Sequence, residues 1–124
     1  MSVFGRKLAL ALVITFGILA LCPLQSGWTA TNRPALLEFG AGHCISCKEM
    51  AKIIEELKTT IGDKVEFRML YADKEKPLFQ QYKIMLIPTQ VFLNAEGKEV
   101  DRHVGALTKE QLLAKLKELK FIAP

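Results

Sequence analysis

The chain has 124 residues, which suits a single domain, and half of them are apolar. The formal net charge is +4, and Lys, Arg, Asp and Glu alternate along the chain without a block of one sign. This pattern gives no electrostatic basis for binding nucleic acid, so we expect none as a partner.

The amino terminus is the most apolar part of the sequence. Residues 8–24 contain no charged side chain, and Arg6 and Lys7 come directly before them. A short basic start followed by an apolar core is typical of a secretory signal. We therefore predict that residues 1–27 are a signal peptide or an N-terminal membrane anchor. Residues 28–124 are then the functional domain, in an extracytoplasmic location, either periplasmic or secreted.

The fate of this apolar segment stays open. Its length lies at the upper edge for a signal core and at the lower edge for a membrane span. Cleavage after Gly27 or Ala30 would follow a small residue, but a large residue stands two positions earlier in both cases. Cys22 closes the apolar run and offers a site for lipid attachment. The three outcomes are a cleaved signal, an anchor formed by residues 7–24, and lipidation at Cys22.

The next part of the sequence predicts a strand, a helix and a second strand. Residues 35–39 form a short apolar run that stops at Gly40, which indicates a buried strand. After a loop, the apolar residues follow helical spacing from Cys44 onward, and Gly62 ends this helix. Residues 65–71 first alternate between polar and apolar and then run apolar, as expected for a strand.

The last part of the sequence predicts a short helix, a hairpin and a final helix. Residues 75–82 form the short helix, and residues 86–93 and 98–104 pair across a turn. Thr108 and Gln111 have the spacing of a capping box, in which each side chain satisfies a free amide of the other residue. They mark the start of the last helix.

The predicted order of elements is β-α-β-α-β-β-α. A helix separates the first two strands, so these are expected to be parallel with a right-handed crossover. The last two strands form a hairpin and are antiparallel. The sequence therefore predicts an α/β fold with a mixed four-stranded sheet flanked by helices on both faces.

Cys44 and Cys47 form a C-x-x-C pair at the predicted start of the first helix. A free cysteine is mostly protonated at neutral pH, but the unpaired amides and the dipole at a helix N-terminus stabilise a thiolate. Cys47 lies one turn further along, within reach of a disulfide and shielded from most substrates. We predict a redox disulfide in which Cys44 attacks a substrate disulfide and Cys47 resolves the mixed disulfide.

Other interpretations of this cysteine pair stay open. Zinc needs four ligands, and only His43 and His103 remain as further candidates. A purely structural disulfide is disfavoured because so small a loop restricts the unfolded chain little. A non-catalytic module that holds Cu(I) or zinc could add Met50 and Met69, although both lie at positions typical of core packing. Our prediction is that the domain carries no metal and no cofactor.

The sequence resembles the thioredoxin family over residues 33–122. Five segments carry the resemblance, in the order and spacing of the family: residues 36–39, residues 44–48 (Cys-Ile-Ser-Cys-Lys), Asp73, residues 87–89 (Ile-Pro-Thr) and residues 104–106. The resemblance implies a thioredoxin-like fold and a protein-disulfide oxidoreductase activity.

The resemblance also implies roles for three residues outside the cysteine pair. The Ile87–Pro88 bond is expected to be cis, with Pro88 packed against the cysteines and the backbone before it pairing with the substrate chain. Glu38 stands at the position of the family's buried acid, where it would relay a proton to or from Cys47. An ordinary trans proline and a solvent-facing Glu38 are the alternatives.

The sequence departs from the family at several positions around the cysteines. His43 replaces a common tryptophan, residues 45–46 replace Gly-Pro, Met69 replaces a lysine beside the buried acid, and Lys52 replaces a proline that bends the helix. A protonated His43 would stabilise the Cys44 thiolate and contact substrate, or else it is a solvated loop residue. His103 is interpreted as a surface strand residue.

These features together predict a thiol–disulfide oxidoreductase that acts on exported proteins in the reducing direction. Ile87 before Pro88 matches the reducing thioredoxins. A reductant in an oxidising compartment needs a membrane electron donor, and its substrates include apocytochromes during cytochrome c maturation. A disulfide-forming oxidant, favoured by His43, is the alternative. The protein is expected to be a monomer.

Overall fold

The computed structural model describes residues 31–124, so the predicted signal or anchor and Cys22 lie outside the described residues. Seven elements follow in the predicted order: β1 Ala35–Gly40, α1 Ile45–Ile61, β2 Glu66–Tyr71, α2 Lys76–Gln81, β3 Thr89–Leu93, β4 Glu99–Val104 and α3 Lys109–Glu118. Within this part of the chain, no helix combines the length and the apolar character that crossing a membrane requires.

The four strands form one sheet with the order β2-β1-β3-β4. As predicted, β1 pairs with β2 in parallel and β3 pairs with β4 antiparallel. β1 also pairs with β3 antiparallel, which places it at the centre of the sheet. β3 begins at Thr89 and not at residue 86 as predicted. Pro88 stands directly before it and has no amide hydrogen to donate to the ladder.

Helices cover both faces of the sheet, as predicted. On one face, α1 and α3 bury a cluster of apolar residues, which includes Leu36, Met50, Ile54, Leu57, Phe92, Leu112 and Leu116. On the opposite face, α2 packs Leu78 and Phe79 against Leu37 and Phe39 of β1. Because both faces are covered, all six residues of β1 are buried.

Local sequence signals set the helix boundaries. Cys44 is the N-cap of α1, in an extended conformation with φ −87° and ψ 121°. Thr108 caps α3 through the predicted capping box with Gln111, and both of its hydrogen bonds are present. The N-cap places the first cysteine outside the helix and the second one inside its first turn.

Candidate active site

A disulfide joins Cys44 and Cys47 at the start of α1, with 5.2 Å between their Cα atoms. The backbone amide of Cys47 donates to Cys44 Sγ over 3.2 Å. The hydroxyl of Ser46 lies 3.4 Å from the same sulfur. A helix-start amide is thus already directed at the Cys44 sulfur, which is the arrangement that stabilises a thiolate once the disulfide opens.

The two sulfurs differ in their access to solvent. Cys47 is 1% exposed, whereas Cys44 is half-buried and the next residue, Ile45, is 77% exposed. A substrate therefore reaches Cys44 first. Beneath the pair, a Cβ added to Gly40 of β1 would lie 3.1 Å from Cys47 Cβ and 3.3 Å from its sulfur. Glycine at this position lets β1 pass directly under the disulfide.

Pro88 lies at the same end of the sheet as the disulfide, and the Ile87–Pro88 bond is cis, as the resemblance implied. In the register of β1 and β3, Phe39 is opposite Thr89. Because the two strands are antiparallel, the next pair beyond Phe39 and Thr89 is Gly40 and Pro88. Pro88 is buried, and its position opposite Gly40 places it next to the strand residue that passes under the disulfide.

Two hydrogen bonds hold the segment that contains Pro88. The Gly105 amide donates to the Pro88 carbonyl over 2.8 Å, and the Thr89 hydroxyl donates to the Leu86 carbonyl over 2.7 Å. Gly105 has a φ of +110°, a backbone conformation that residues other than glycine rarely adopt. The backbone around Pro88 is therefore fixed from both sides.

Large apolar side chains are exposed around this end of the sheet. Five of them define what we call the apolar rim: Ile45 (77% exposed), Met85 (89%), Leu86 (65%), Ile87 (36%) and Val104 (50%). Ile45 adjoins Cys44 in the chain, and Val104 pairs with Thr89 in the sheet. Exposed apolar side chains close to a reactive disulfide are a candidate contact surface for another molecule.

Glu38 is completely buried in the middle of β1. It shares a face of the strand with Gly40, because alternate residues of a strand point the same way. Gly40 lies against Cys47. Glu38, two residues earlier on the same face of β1, therefore lies behind the disulfide. Burial raises the pKa of Glu38 from 4.5 to about 8, and a hydrogen bond from Gln90 acts in the opposite direction.

The sequence analysis did not identify Gln90, which is the polar partner of Glu38. Gln90 stands opposite Glu38 in the register of β1 and β3, and its Nε2 lies 2.9 Å and 3.2 Å from the two carboxylate oxygens. On the other side of Glu38, the residue in register is Met69 of β2. The only hint in the sequence was that Gln90 is a polar amide inside the mostly apolar residues 86–93.

The remaining candidate residues lie in three different environments: the loop before Cys44, the edge strand β4 and the core. His43 is exposed in the loop before Cys44, and His103 is half-buried in β4. Met50 is fully buried, and its sulfur accepts the Leu107 amide over 3.3 Å. Met69 packs against the apolar cluster under α1. Among residues 31–124, no group of three or more His, Cys, Asp or Glu side chains is placed to hold a metal ion.

Comparison with known proteins agrees with this geometry. The family model described as Thioredoxin matches residues 25–118. The thiol:disulfide interchange protein TxlA of Synechococcus elongatus is 39% identical over 97 residues, which cover 77% of this chain. These residues cover 51% of TxlA, so the chain spans about half the length of that relative. A thioredoxin of Alicyclobacillus acidocaldarius is 34% identical over 71% of this chain and 83% of its own length.

A solved structure shows the same fold. The germline-specific thioredoxin Deadhead of Drosophila melanogaster matches with a TM-score of 0.65 and 28% identity. The match covers 73% of this chain and 84% of Deadhead. The family model covers most of the chain. The chain belongs to the thioredoxin family.

Proposed function

We propose that this protein is a thiol–disulfide oxidoreductase that exchanges disulfides with protein substrates. The observation that carries the proposal is the position of the Cys44 sulfur, which receives the Cys47 amide at the N-cap of α1 and is bonded to the Cys47 sulfur. The relative TxlA is named a thiol:disulfide interchange protein, which supports the same chemistry.

In the reducing direction, Cys44 is the nucleophile. Its thiolate attacks one sulfur of a substrate disulfide, the substrate S–S bond breaks, and the second substrate sulfur leaves with the electron pair and takes up a proton. Cys44 and the substrate are then joined by a mixed disulfide. Because Cys44 is the more exposed of the two cysteines, this first step needs no opening of the core.

Cys47 resolves the mixed disulfide. Its thiolate attacks Cys44 Sγ, the bond to the substrate breaks, the substrate leaves as a thiol, and the intramolecular disulfide forms again. Cys47 is almost completely buried, and burial disfavours its charged form. Glu38 acts here as a general base: a carboxylate behind the pair accepts the Cys47 proton before the attack.

The surface around the pair fits a protein substrate. The apolar rim supplies contacts for apolar side chains, and the backbone at Ile87 is free to pair with an extended substrate segment, because β3 begins only at Thr89. His43, exposed beside Cys44 in the chain, contacts the same substrate segment.

We further propose that the protein works as a reductant outside the cytoplasm. Two features of the sequence support this: the apolar residues 8–24 behind a basic start, and Ile87 before Pro88. In this location a membrane electron donor returns the disulfide to the dithiol state, and exported proteins, such as apocytochromes during cytochrome c maturation, are the substrates. The domain acts as a monomer that is secreted, anchored or lipidated.

Reduction of insulin disulfides by dithiothreitol tests the activity. The wild-type domain accelerates the reaction, and Cys44→Ser loses the acceleration completely. Cys47→Ala retains the nucleophile but cannot resolve, so after incubation with insulin in the absence of dithiothreitol it carries a substrate bound covalently to Cys44, seen as a mass increase that added dithiothreitol reverses. Full activity of Cys44→Ser would overturn the proposal.

Equilibration with glutathione tests the direction of electron flow. A reductant is expected to have a reduction potential near that of thioredoxin, about −270 mV. A value near about −120 mV, as in a strong disulfide-forming oxidant, would contradict the reducing role and leave the exchange chemistry intact.

A further inference from the structure

Gln90 is an unusual residue for the centre of a β-sheet. It is completely buried in β3, and its Nε2 contacts both oxygens of Glu38. Its Oε1 is also buried and accepts no hydrogen bond from any residue between 31 and 124. A buried amide oxygen without a hydrogen-bond partner destabilises the folded state. Its presence in Gln90 therefore needs an explanation, and the site's chemistry offers one.

The two ends of an amide offer opposite hydrogen-bonding groups. A charged carboxylate only accepts hydrogen bonds, and Nε2 of Gln90 serves it as a donor. A neutral carboxyl group also donates one hydrogen bond, and a buried amide oxygen is a suitable acceptor for it. Rotation of the terminal amide by half a turn exchanges Nε2 and Oε1 in front of Glu38.

We propose that Gln90 is a positioning residue that holds Glu38 behind Cys47 in both protonation states, with its amide nitrogen on the carboxylate and its amide oxygen on the neutral carboxyl. The inference deepens the proposed function and rests on it, since it assumes that Glu38 exchanges a proton with Cys47. The unpaired Oε1 is then the acceptor that the neutral state uses.

The proton step balances without a further reactant. Before Cys47 attacks, its S–H bond breaks, and the proton passes to one Glu38 oxygen. Cys47 becomes a thiolate, and Glu38 becomes neutral. The new O–H group donates to Oε1 of Gln90 after the amide has turned. When the protein is reduced again, the same proton returns to the Cys47 sulfur.

Few other titratable groups face Glu38. Its neighbours in register are Met69 of β2 and Gln90 of β3, and Cys47 of α1 lies against Gly40 on the same face of β1. Beyond Gln90 in the sheet lies His103 of β4, in register with Gln90. Further along the same face, Asp101 of β4 forms an ion pair with Lys115 of α3 at 2.9 Å, so these two opposite charges compensate each other.

The test follows the titration of the Glu38 carboxyl carbon by NMR in the oxidised protein, where the cysteines do not titrate. Gln90→Met keeps the length of the side chain and removes both polar ends. A hydrogen bond to a charged group is stronger than one to a neutral group, so its loss disfavours the carboxylate. We expect the midpoint to rise by about one pH unit.

Matched variants separate this effect from a general perturbation. Glu38→Gln has no such titration, and His103→Gln removes the neighbouring imidazole and leaves the Glu38 midpoint within about 0.3 pH units of wild type. Gln90→Asn is too short to reach the carboxyl and raises the midpoint as Gln90→Met does, so it serves if the methionine variant fails to fold. An unchanged midpoint in the folded Gln90 variants would overturn the inference.

A kinetic measurement connects the titration to the reaction. The release of a mixed disulfide from Cys44 is measured between pH 6 and 10, and its pH profile is expected to move upward in Gln90→Met by the same amount as the Glu38 midpoint. A wild-type protein that releases nothing defeats the proposed function but leaves the titration to decide the role of Gln90. An active protein whose profile is identical in wild type and Gln90→Met defeats the inference alone.

Discussion

The two faces of the sheet are built from the same strands but serve different purposes. Under α2, β1 contributes only apolar side chains, and the ring of Phe39 packs edge-on against Phe79 with 5.0 Å between centroids. Under α1, the same strand carries Glu38 and Gly40, with Gln90 beside them. Both faces stabilise the fold by apolar packing, but only the α1 face also places a carboxyl group and a glycine behind the disulfide.

Along β1, neighbouring residues have different roles: one contributes to apolar packing and the next to the disulfide site. Alternate residues of a strand point to opposite faces, so Leu37 and Phe39 belong to one role and Glu38 and Gly40 to the other. Substitutions of Leu37 or Phe39 are therefore expected to change the free energy of unfolding, and those of Glu38 or Gly40 to change the pH dependence and the potential.

The largest loss of stability is expected from the α2 face. Phe39→Ala removes a fully buried ring that contacts Phe79 and Tyr82, and it should lower the free energy of unfolding by about 3–5 kcal/mol. The insulin-reduction rate per folded molecule should change little, because the disulfide lies on the other face. Urea denaturation checks the first value. A large loss of activity in a variant that is still folded would show that Phe39 also contributes to the disulfide site.

A pH-dependent loss of stability is expected from the α1 face. The pKa of Glu38 is about 8 in the folded state against 4.5 for the ordinary group, so the folded protein holds a proton that the unfolded chain releases. This contribution is complete below pH 4.5 and is lost as pH rises through about 8. The free energy of unfolding should fall by about 1.4 kcal/mol per pH unit between these values.

Glu38→Gln provides the control for this slope. It keeps the shape of the side chain and cannot titrate, so its stability should be flat over the range where the wild type declines. Denaturation at a series of pH values measures both proteins. Equal slopes in the two proteins would show that other groups cause the decline.

A smaller effect is expected from Gly40→Ala. Its new Cβ would lie 3.1 Å from Cys47 Cβ and 3.3 Å from the sulfur, so the chain must shift, at a cost of about 1–3 kcal/mol. In the reduced protein, the sulfur is free to turn away, so the oxidised form is the more strained. Equilibration with glutathione should therefore give a less negative potential than wild type. A more negative potential would contradict this.

The smallest effect on stability is expected at the apolar rim. Met85 is 89% exposed, so Met85→Ser should leave the free energy of unfolding within about 0.5 kcal/mol of wild type. It should raise KM for insulin and leave the rate with a small disulfide such as cystine unchanged. Lys83→Ser, an exposed substitution in the same loop, serves as the control. An unchanged KM would show that Met85 of the apolar rim does not contact the substrate.

Much of the fold followed from the sequence because its signals are local. Helical spacing after Cys44, the helix between the first two strands and the capping box at Thr108 were sufficient for the order and direction of the elements. The start of β3 was wrong by three residues, since the apolar run that begins at residue 86 continues without a break into the strand and shows no sign of where pairing begins.

The site was less accessible from the sequence for a physical reason. β1 is buried on both faces, so the alternation that normally marks an inward-facing side did not indicate where Glu38 points. Gln90 was missed because its importance depends on the register of β1 against β3. That register brings together residues 52 positions apart in the chain, and no local pattern encodes it.

The pKa of the Cys44 thiol tests the central claim most directly. It is measured in the Cys47→Ala variant from the rate of alkylation by iodoacetamide as a function of pH, with the modified residue identified by mass spectrometry. The amides at the start of α1 predict a midpoint clearly below the value of about 8.5 for a free cysteine. A midpoint at or above 8.5 would contradict the account, because the position of the sulfur would then confer no reactivity.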